Sequence, residues 1–228
     1  MKVKQHTIQK KVELSGVGLH TGVISNMTFV PAPPNHGIKF QRVDLEGRPT
    51  VDADCDLVVD VSRGTTLEQN GARVYTVEHV LAALVGLEID NVLIQLDGPE
   101  PPIMDGSSIQ FIEVLEDAGF EEQNALRRFF EVQESIQYKD VAREVEMVAL
   151  PTDNYRVTVM VDYNSPVLGS QHALITDISK FRSEIASCRT FCFLHELEML
   201  YNSNLIKGGD LNNAIVVVDR VVEDKELV

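Results

Sequence analysis

The chain has 228 residues, of which 20 are basic and 35 acidic, giving a formal net charge of −15. Its 44% apolar content is typical of a folded protein and excludes wholesale disorder. The acidity argues against nucleic-acid binding and against electrostatic docking on anionic lipid, because both need a basic surface. The longest apolar runs are too short to span a membrane, and residues 1–14 lack the apolar segment of a secretory signal.

In chain order, the first half reads as strands with a helix between them. Polar and apolar residues alternate over 38–41, which predicts a half-buried strand, and the apolar run 91–96 predicts a buried one. Between them, apolar residues recur with helical spacing over 77–85, which predicts an amphipathic helix. We expect Thr76 to cap its N-terminus and Gly86 to end it.

A shaped turn and a second helix follow. Residues 97–106 are dense in Pro and Gly, which predicts a turn. A helix is expected to begin near Ser107, with Asp105 or Ser107 as its cap, and to end at Gly119. Residues 121–128 are polar and without period, so we expect a domain linker there.

The second half begins again with strands. Residues 144–150 and 156–163 are predicted strands. Asp177 is expected to cap a third helix, and a fourth is predicted around residues 194–201, broken by the glycine pair that follows it. Residues 214–222 are predicted to form a last strand.

This order indicates the fold class. Each half runs from strands to helices to a strand, which predicts an α+β protein of two similar two-layer domains. The expected domains are 1–124 and 125–228, within a length that allows two domains of about 100 residues each.

Three cysteines, an odd number with no CxxC spacing, indicate free thiols in a reducing compartment. Cys188 and Cys192 are four residues apart. This spacing allows either a metal-binding pair or two small buried residues on one helix face.

The strongest chemical candidate is the pair Glu78 and His79 in the first turn of the first predicted helix. The positive end of a helix favours an ionised Glu and a neutral His, which are the forms required of a general base and a metal ligand. The alternative is an ordinary solvated pair. No HExxH motif is present, which excludes a zincin helix.

Three other segments are weaker candidates. GVGLHTG at residues 16–22 fits a glycine-rich strand connection and lacks the context of a nucleotide loop. PPIMDGS at residues 101–107 reads as a helix entry. RTF at residues 189–191 lies between two predicted helices, where a hydroxyl and a ring can line a cleft.

These three segments, the segment around Glu78 and His79, and two further segments occur in a fixed order along the chain. The full set is GVGLHTG (16–22), TVEHVLAAL (76–84), GLEIDN (86–91), PPIMDGSS (101–108), RTF (189–191) and GGDLNNAIVV (208–217). The set resembles the UDP-3-O-acyl-N-acetylglucosamine deacetylase family, zinc amidases of lipid A biosynthesis. The resemblance implies helices packed between two sheets, a UDP-linked acylated aminosugar as substrate, and a cytoplasmic location in a Gram-negative-type bacterium.

The resemblance also implies residue roles. His79 matches a zinc ligand, Glu78 the general base, and Thr190 a hydroxyl that stabilises the oxyanion. Zinc lowers the pKa of bound water to about 7 and polarises a carbonyl, which suits the hydrolysis of an unreactive amide. The implied substrate-binding residues are Leu19, His20, Phe191 and Gly209, and the implied acyl passage consists of Leu194, Leu197, Ile206, Ala214 and Val216.

One departure from the family concerns the metal. A catalytic zinc needs about three protein ligands, and the family draws two of them from an HKxxD helix that this sequence lacks. We therefore interpret the chain as a fragment that holds one ligand, His79, and expect the other two beyond residue 228. The parent is expected to be a deacetylase, with a fused 3-hydroxyacyl-carrier-protein dehydratase domain as one option. A non-catalytic binding or regulatory protein that kept the fold is the alternative, and an unrelated α+β domain is a third.

Overall fold

The structure is a computed structural model that describes residues 3–220. Within that range the helices are α1 (Glu78–Gly86), α2 (Ile109–Ala118), α3 (Phe181–Glu184) and α4 (Leu197–Asn202). The strands are β1 (Lys4–Ile8), β2 (Val12–Val17), β3 (Ile24–Pro31), β4 (Ile38–Arg42), β5 (Thr50–Asp52), β6 (Val58–Asp60), β7 (Thr66–Gln69), β8 (Ala72–Val74), β9 (Val92–Leu96), β10 (Phe120–Leu126), β11 (Ile136–Asp140), β12 (Val145–Ala149), β13 (Val157–Asp162), β14 (Ser170–Ile175), β15 (Phe191–Phe193) and β16 (Ile215–Val217). Short 3-10 turns lie at Cys55–Leu57, Ile178–Lys180 and Leu194–Glu196. This mixture of separate sheets and few helices confirms the α+β class.

A five-stranded mixed sheet organises the first half. Its order is β2-β3-β9-β4-β5, with β4 and β9 parallel and the other neighbours antiparallel. The register opposes Met27 to Leu96 and Phe29 to Ile94, and all four side chains are fully buried. Both strands predicted here, over 38–41 and 91–96, are confirmed as β4 and β9.

Helices α1 and α2 contribute fully buried side chains to the same core, including Leu84 and Phe111. The prediction of α1 is confirmed, but Thr76 is not its cap. Val77 occupies the N-cap position, and Thr76 instead adopts a φ of +51° with its hydroxyl donating to Glu100. Thr76 therefore lies one residue before the N-cap, and its hydroxyl makes no capping hydrogen bond to α1 among the described residues.

The entry to α2 agrees with its prediction in part. Ser108 takes the N-cap position without a side-chain capping bond, and the Ser107 hydroxyl accepts from the Ile109 N–H at 3.2 Å, as a capping side chain does. Asp105 Oδ1 instead accepts hydrogen bonds from the backbone N–H and the hydroxyl of Ser107, at 3.1 and 2.7 Å. The predicted end is confirmed, because Gly119 follows the helix with a φ of +70°.

The expected linker over 121–128 is wrong, since most of this segment lies in β10, which pairs antiparallel with β1. Its one buried residue is polar. The Gln123 side chain accepts from the Asn91 amide at 2.6 Å and donates to the Ala32 carbonyl at 2.7 Å. An inward residue satisfied by hydrogen bonds removes the apolar period on which strand prediction depends. The boundary between 124 and 125 stays a prediction.

The second half consists of strand pairs and short helices. Hairpins β11–β12 and β13–β14 are antiparallel, whereas β15 and β16 pair in parallel. The predicted strands 144–150 and 156–163 are confirmed as β12 and β13. Asp177 accepts a hydrogen bond from the Ser179 N–H as predicted. The last strand is shorter than predicted, since β16 ends at Val217, and residues 221–222 lie outside the described residues.

Two further predictions for the second half need correction. Cys188 is exposed in the loop after α3 and Cys192 lies in β15, so these cysteines do not share a helix face. All three cysteine thiols are free, as expected. The fourth helix begins as a 3-10 turn and ends at Asn202, well before the glycine pair expected to break it.

The two halves meet closely at Gly86. A Cβ on this residue would lie 2.3 Å from Cδ1 of Phe181, so the absence of a side chain allows the ring to pack against α1. None of the described helices has the length and apolar character needed to cross a membrane.

Candidate functional site

Glu78 opens α1, and a neighbouring loop holds its carboxylate. The Thr65 backbone N–H donates to Glu78 Oε2 at 2.9 Å. A Cβ on Gly64 would lie 3.5 Å from both Glu78 Oε1 and His20 Nε2, so both atoms border the space beside Gly64. One oxygen of Glu78 is therefore held by a hydrogen bond, and the other has no hydrogen-bond partner among the described residues. The position in the first turn of α1 favours the ionised carboxylate.

His79, the next residue, is a largely desolvated imidazole. Burial lowers its pKa, opposed by the carboxylates of Glu78 and Asp105 and reinforced by His20. The ring is therefore neutral at pH 7, as a metal ligand must be. Its carbonyl accepts a hydrogen bond from the Ser108 hydroxyl at 3.0 Å, which ties α1 to the start of α2. His79 is only partly buried, so its role as a metal ligand stays a prediction beside the alternative of a solvated pair.

His20 is fixed by both ring nitrogens. Nε2 lies 3.0 Å from the Arg63 carbonyl oxygen, which can only accept, and the Ile206 N–H, which can only donate, lies 3.4 Å from Nδ1. Only the neutral tautomer protonated on Nε2 satisfies both contacts. His20 therefore joins the loop over 16–22 to the loop before β7 and to the segment before β16.

Thr190 is anchored to the turn that precedes α2. Its N–H donates to the Gly106 carbonyl at 2.8 Å, and its carbonyl accepts from the Ile215 N–H at 3.0 Å. Within the described residues its hydroxyl has no hydrogen-bond partner, so it is available to a ligand. The Arg189 guanidinium donates to the Asp105 carbonyl at 2.6 Å, which ties the RTF segment to the same turn.

Leu19 and Gly209 lie close together in the structure. Leu19 is buried, and a Cβ on Gly209 would lie 3.6 Å from its Cδ1. The Gly208 N–H donates to the Leu19 carbonyl at 3.1 Å, and a Cβ on Gly208 would lie only 2.3 Å from the Gly18 carbonyl oxygen. The glycine pair thus permits close backbone packing between the two halves.

Phe191 belongs to an aromatic cluster on β15. Its ring makes an edge contact with Tyr163 at a centroid distance of 5.4 Å and another with Phe193 at 5.9 Å. Phe193 in turn stacks on His195 at 5.3 Å. The five predicted passage residues follow Phe193 in the sequence. Leu194 is half exposed, whereas Leu197, Ile206, Ala214 and Val216 are partly buried.

A separate cavity of about 380 Å³ borders Glu78. It is mostly apolar and is lined by Thr65, Val77, Glu78, Leu81, Ala82, Val85, Tyr155, Ile175, Ile178 and Phe181. None of the five predicted passage residues lines it, so it is distinct from the predicted passage.

The residues present supply part of a zinc site. His79 has the neutral ring that zinc needs, but both nitrogens of His20 are committed to backbone groups. Among the described residues, the single group of three His, Cys, Asp or Glu side chains close enough to share an ion is the exposed trio Asp54, Cys55 and Asp56. A full set of three ligands around His79 is therefore not assembled by residues 3–220.

Several residues that shape the site were not selected from the sequence. Glu100 is fully buried and accepts hydrogen bonds from residues of the loop over 16–22. Thr65 contacts Glu78 through its backbone, and Arg63 contacts His20 through its carbonyl. Contacts made by backbone atoms cannot be recognised from the type of residue. For Glu100, the sequence signal is an acidic residue between two prolines in a tight turn.

Comparison with known proteins gives consistent results. The model of the family described as UDP-3-O-acyl N-acetylglycosamine deacetylase matches residues 5–228. A bifunctional enzyme LpxC/FabZ of Chlorobaculum tepidum is 48% identical over 228 residues, covering all of this chain and 49% of the relative. The enzyme of the same name from Bacteroides thetaiotaomicron is 47% identical over 218 residues, covering 96% of this chain and 47% of the relative.

A shorter relative is named as a deacetylase alone. The UDP-3-O-acyl-N-acetylglucosamine deacetylase of Myxococcus xanthus is 41% identical over 214 residues, covering 93% of this chain and 68% of the relative. The chain thus spans about half the length of the bifunctional relatives and about two thirds of the shorter one.

Proposed function

Because this chain belongs to the UDP-3-O-acyl N-acetylglycosamine deacetylase family, we propose that it carries the general base and the oxyanion donor of such a deacetylase. The reaction is hydrolysis of the N-acetyl amide of a UDP-linked, 3-O-acylated glucosamine, as a step of lipid A biosynthesis. The observation that carries the proposal is the carboxylate of Glu78, whose Oε2 is held by the Thr65 N–H and whose Oε1 has no hydrogen-bond partner among the described residues.

Glu78 acts as the general base in this proposal. A general base must be ionised, within hydrogen-bond reach of the proton it takes, and held in one orientation. The N-terminus of α1 favours the charge, and the bond from the Thr65 N–H restricts rotation of the carboxylate. Oε1 remains to accept a proton from the attacking water.

Thr190 acts as the oxyanion donor. Its backbone is fixed at both the N–H and the carbonyl, and its hydroxyl is unpaired within the described residues. A positioned donor of this kind stabilises the developing negative charge by about 3 kcal/mol in comparable hydrolases. Leu19, His20, Phe191 and Gly209 would contact the sugar part of the substrate. The acyl chain would lie along Leu194, Leu197, Ile206, Ala214 and Val216.

His79 would hold zinc, the metal on which this family in general depends. When bound, zinc supplies Lewis acidity to the amide carbonyl and to water. Because the described residues offer His79 alone as a ligand, we assign no step to the metal. We expect the 228-residue chain to bind zinc weakly and to have little activity by itself. Near-stoichiometric zinc with micromolar or tighter affinity in equilibrium dialysis would contradict this.

Two further features are part of the proposal. The names of the two bifunctional relatives pair the deacetylase with FabZ, which supports a dehydratase domain as a functional partner. A cytoplasmic location agrees with three free thiols and with a substrate activated by UDP.

A chimera tests the proposed function. This chain would replace the matching segment of the Chlorobaculum enzyme, and deacetylation of UDP-3-O-acyl-N-acetylglucosamine would be measured. We expect the chimera to be active, and Glu78→Gln to lower kcat by at least about 100-fold with zinc content unchanged. Glu113→Gln, on the exposed side of α2, is the matched control and should have no effect.

Two outcomes would contradict the assignment. Turnover retained in the Glu78→Gln chimera would exclude Glu78 as the base. A folded, zinc-loaded chimera without activity would favour the alternative, a binding or regulatory protein that kept the fold.

A further inference from the structure

Glu100 lies in the turn between β9 and α2, flanked by two prolines, and its side chain is completely buried. Four donors surround its carboxylate. Oε1 accepts from the Thr76 hydroxyl at 2.7 Å and from the His20 N–H at 3.1 Å. Oε2 accepts from the N–H and the hydroxyl of Thr21, both at 2.8 Å.

No Lys or Arg side chain of the described residues bonds to this carboxylate. Burying a carboxylate is costly unless hydrogen bonds replace its water, and four donors supply that replacement. Glu100 is therefore held as an acceptor by uncharged groups, three of which come from one loop. Because both of its oxygens accept hydrogen bonds, the Glu100 side chain also restrains the positions of the groups that donate to it.

The loop over 16–22 is built to admit this side chain. A Cβ on Gly18 would lie 2.5 Å from Glu100 Oε2 and 2.6 Å from Thr21 Oγ1, so only glycine fits. The turn is also tied on both sides, because the Tyr75 N–H donates to the Pro99 carbonyl and the Ile103 N–H to the Val17 carbonyl, each at 2.9 Å.

The two segments that donate to Glu100 lead directly to the site. One bears His20, whose Nε2 and the Oε1 of Glu78 both border the space beside Gly64. The other bears Thr76, two residues before Glu78, whose left-handed φ of +51° costs about 1 kcal/mol for a residue with a side chain. The bond from the Thr76 hydroxyl to Glu100 stabilises that bend, and α1 begins immediately after it.

We propose that Glu100 is a positioning residue of the site, which sets His20 and the start of α1 in register without touching the substrate. It acts through the His20 and Thr21 backbone and the Thr76 hydroxyl. The proposal rests on the proposed function only in giving His20 and Glu78 their roles.

The experiment uses nitrogen NMR of the ¹⁵N-labelled 228-residue chain at neutral pH. In the unmodified chain, His20 should show a protonated-type Nε2 and an unprotonated-type Nδ1. Glu100→Gln preserves shape but places an amide N–H₂ against N–H donors. We expect the two ring signals of His20 to average between tautomers, and exchange of the Thr65 amide, which bonds to Glu78, to rise at least ten-fold.

A matched control lies in the same turn. Asp97 accepts from the backbone N–H and the side chain of Asn26, both at 2.6 Å, and makes no contact with His20 or Thr76. Asp97→Asn should therefore leave the His20 signals and the Thr65 exchange rate unchanged. A second pair of variants tests the Thr76 arm. Thr76→Ser keeps the hydroxyl and should keep slow exchange at Thr65, whereas Thr76→Ala should raise it.

Every outcome decides the proposal. A folded Glu100→Gln chain with a fixed His20 tautomer and slow Thr65 exchange overturns it, as does an equal effect of Asp97→Asn. If Glu100→Gln does not fold, equal exchange rates in Thr76→Ser and Thr76→Ala overturn it, and the expected difference supports it. Since neither measurement needs turnover, an inactive chimera would count against the proposed function alone.

Discussion

The two halves of the chain differ in how many apolar side chains they bury. In the first half, alternating side chains of the five-stranded sheet and the inner faces of α1 and α2 are fully buried. In the second half, β11 to β14 are largely exposed on both faces, and among the residues described there only Phe181, Ala186 and Leu200 are buried apolar side chains.

The site divides in the same way. The first half supplies Glu78, His79 and His20 from a packed core, whereas the second half supplies Thr190 and the predicted passage. The second half is attached by Phe181 and Ala186, which pack into the core of the first half, by an ion pair between Arg182 and Glu116, and by backbone contacts at Gly106 and the glycine pair 208–209. The difference teaches that the proposed base lies beside a packed core, whereas the proposed oxyanion donor is positioned by backbone hydrogen bonds.

The largest expected effect comes from a core residue of the first half. Phe40 lies in β4 and is fully buried, so Phe40→Ala should lower the free energy of unfolding by about 3–5 kcal/mol. Phe130→Ala in the second half removes the same ring from a side chain that is 89% exposed, and should change it by less than about 0.5 kcal/mol. Urea denaturation followed by circular dichroism measures both. Similar losses would contradict the contrast between the halves.

An intermediate effect is expected where the second half is anchored. Gly106 has a φ of +85°, and a Cβ there would lie 2.0 Å from the Asn213 carbonyl oxygen and 3.2 Å from Thr190 Cγ2. Gly106→Ala should therefore cost about 2–3 kcal/mol, from steric overlap and from the left-handed backbone. The Thr190 amide, which bonds to the Gly106 carbonyl, should exchange faster with solvent.

Gly47→Ala is the control for this anchor. Gly47 has a φ of +74° but no atom within 4 Å of its Cβ position, so only the backbone cost of about 1 kcal/mol applies. If both variants cost the same and Thr190 exchange stays slow, the contact with Asn213 does not anchor the second half.

An element of secondary structure is predictable from the sequence when the spacing of its apolar residues identifies it. Such spacing predicts α1, β4 and β9, and Gly119 predicts the end of α2. Strand β10 was missed because its inward residue, Gln123, is polar and satisfied by Asn91 and Ala32. The Thr76 cap was wrong because Val77 takes the N-cap position, while Thr76 precedes it and donates to Glu100.

The site shows the same limit. Glu78, His79 and Thr190 were selected because their motifs resemble a family. Backbone atoms of Thr65 and Gly106 orient Glu78 and Thr190, and the Arg63 carbonyl orients His20. Residue type carries no information about such contacts. A buried acid such as Glu100 is equally hidden, since acids are usually exposed and only the assembled loops supply its four donors.

The smallest expected effect concerns an ion pair that joins the halves. The Arg63 guanidinium, in the loop before β7, bonds to Glu196 in the turn before α4, and Glu196 Oε2 also accepts from the Phe193 N–H at 3.1 Å. The Arg63 hydrogen bond is the main cause that lowers the pKa of Glu196, with burial acting in the opposite direction. Because the pair is largely open to solvent, Glu196→Gln should cost only about 0.5 kcal/mol.

The pH dependence of this pair gives the sharper test. A carboxylate whose pKa is lower in the folded state than in the unfolded state stabilises the fold at pH values above its unfolded pKa, which is about 4.5 for Glu196. This stabilisation is lost as the pH falls through the lower pKa of the folded state. The difference in unfolding free energy between the unmodified chain and Glu196→Gln should therefore vanish in that acidic range and shrink in high salt. A difference that persists at low pH and in high salt would show that Glu196 stabilises the junction by packing rather than by charge. Glu196 would then belong with Phe181 and Ala186, whose packing already joins the second half to the first.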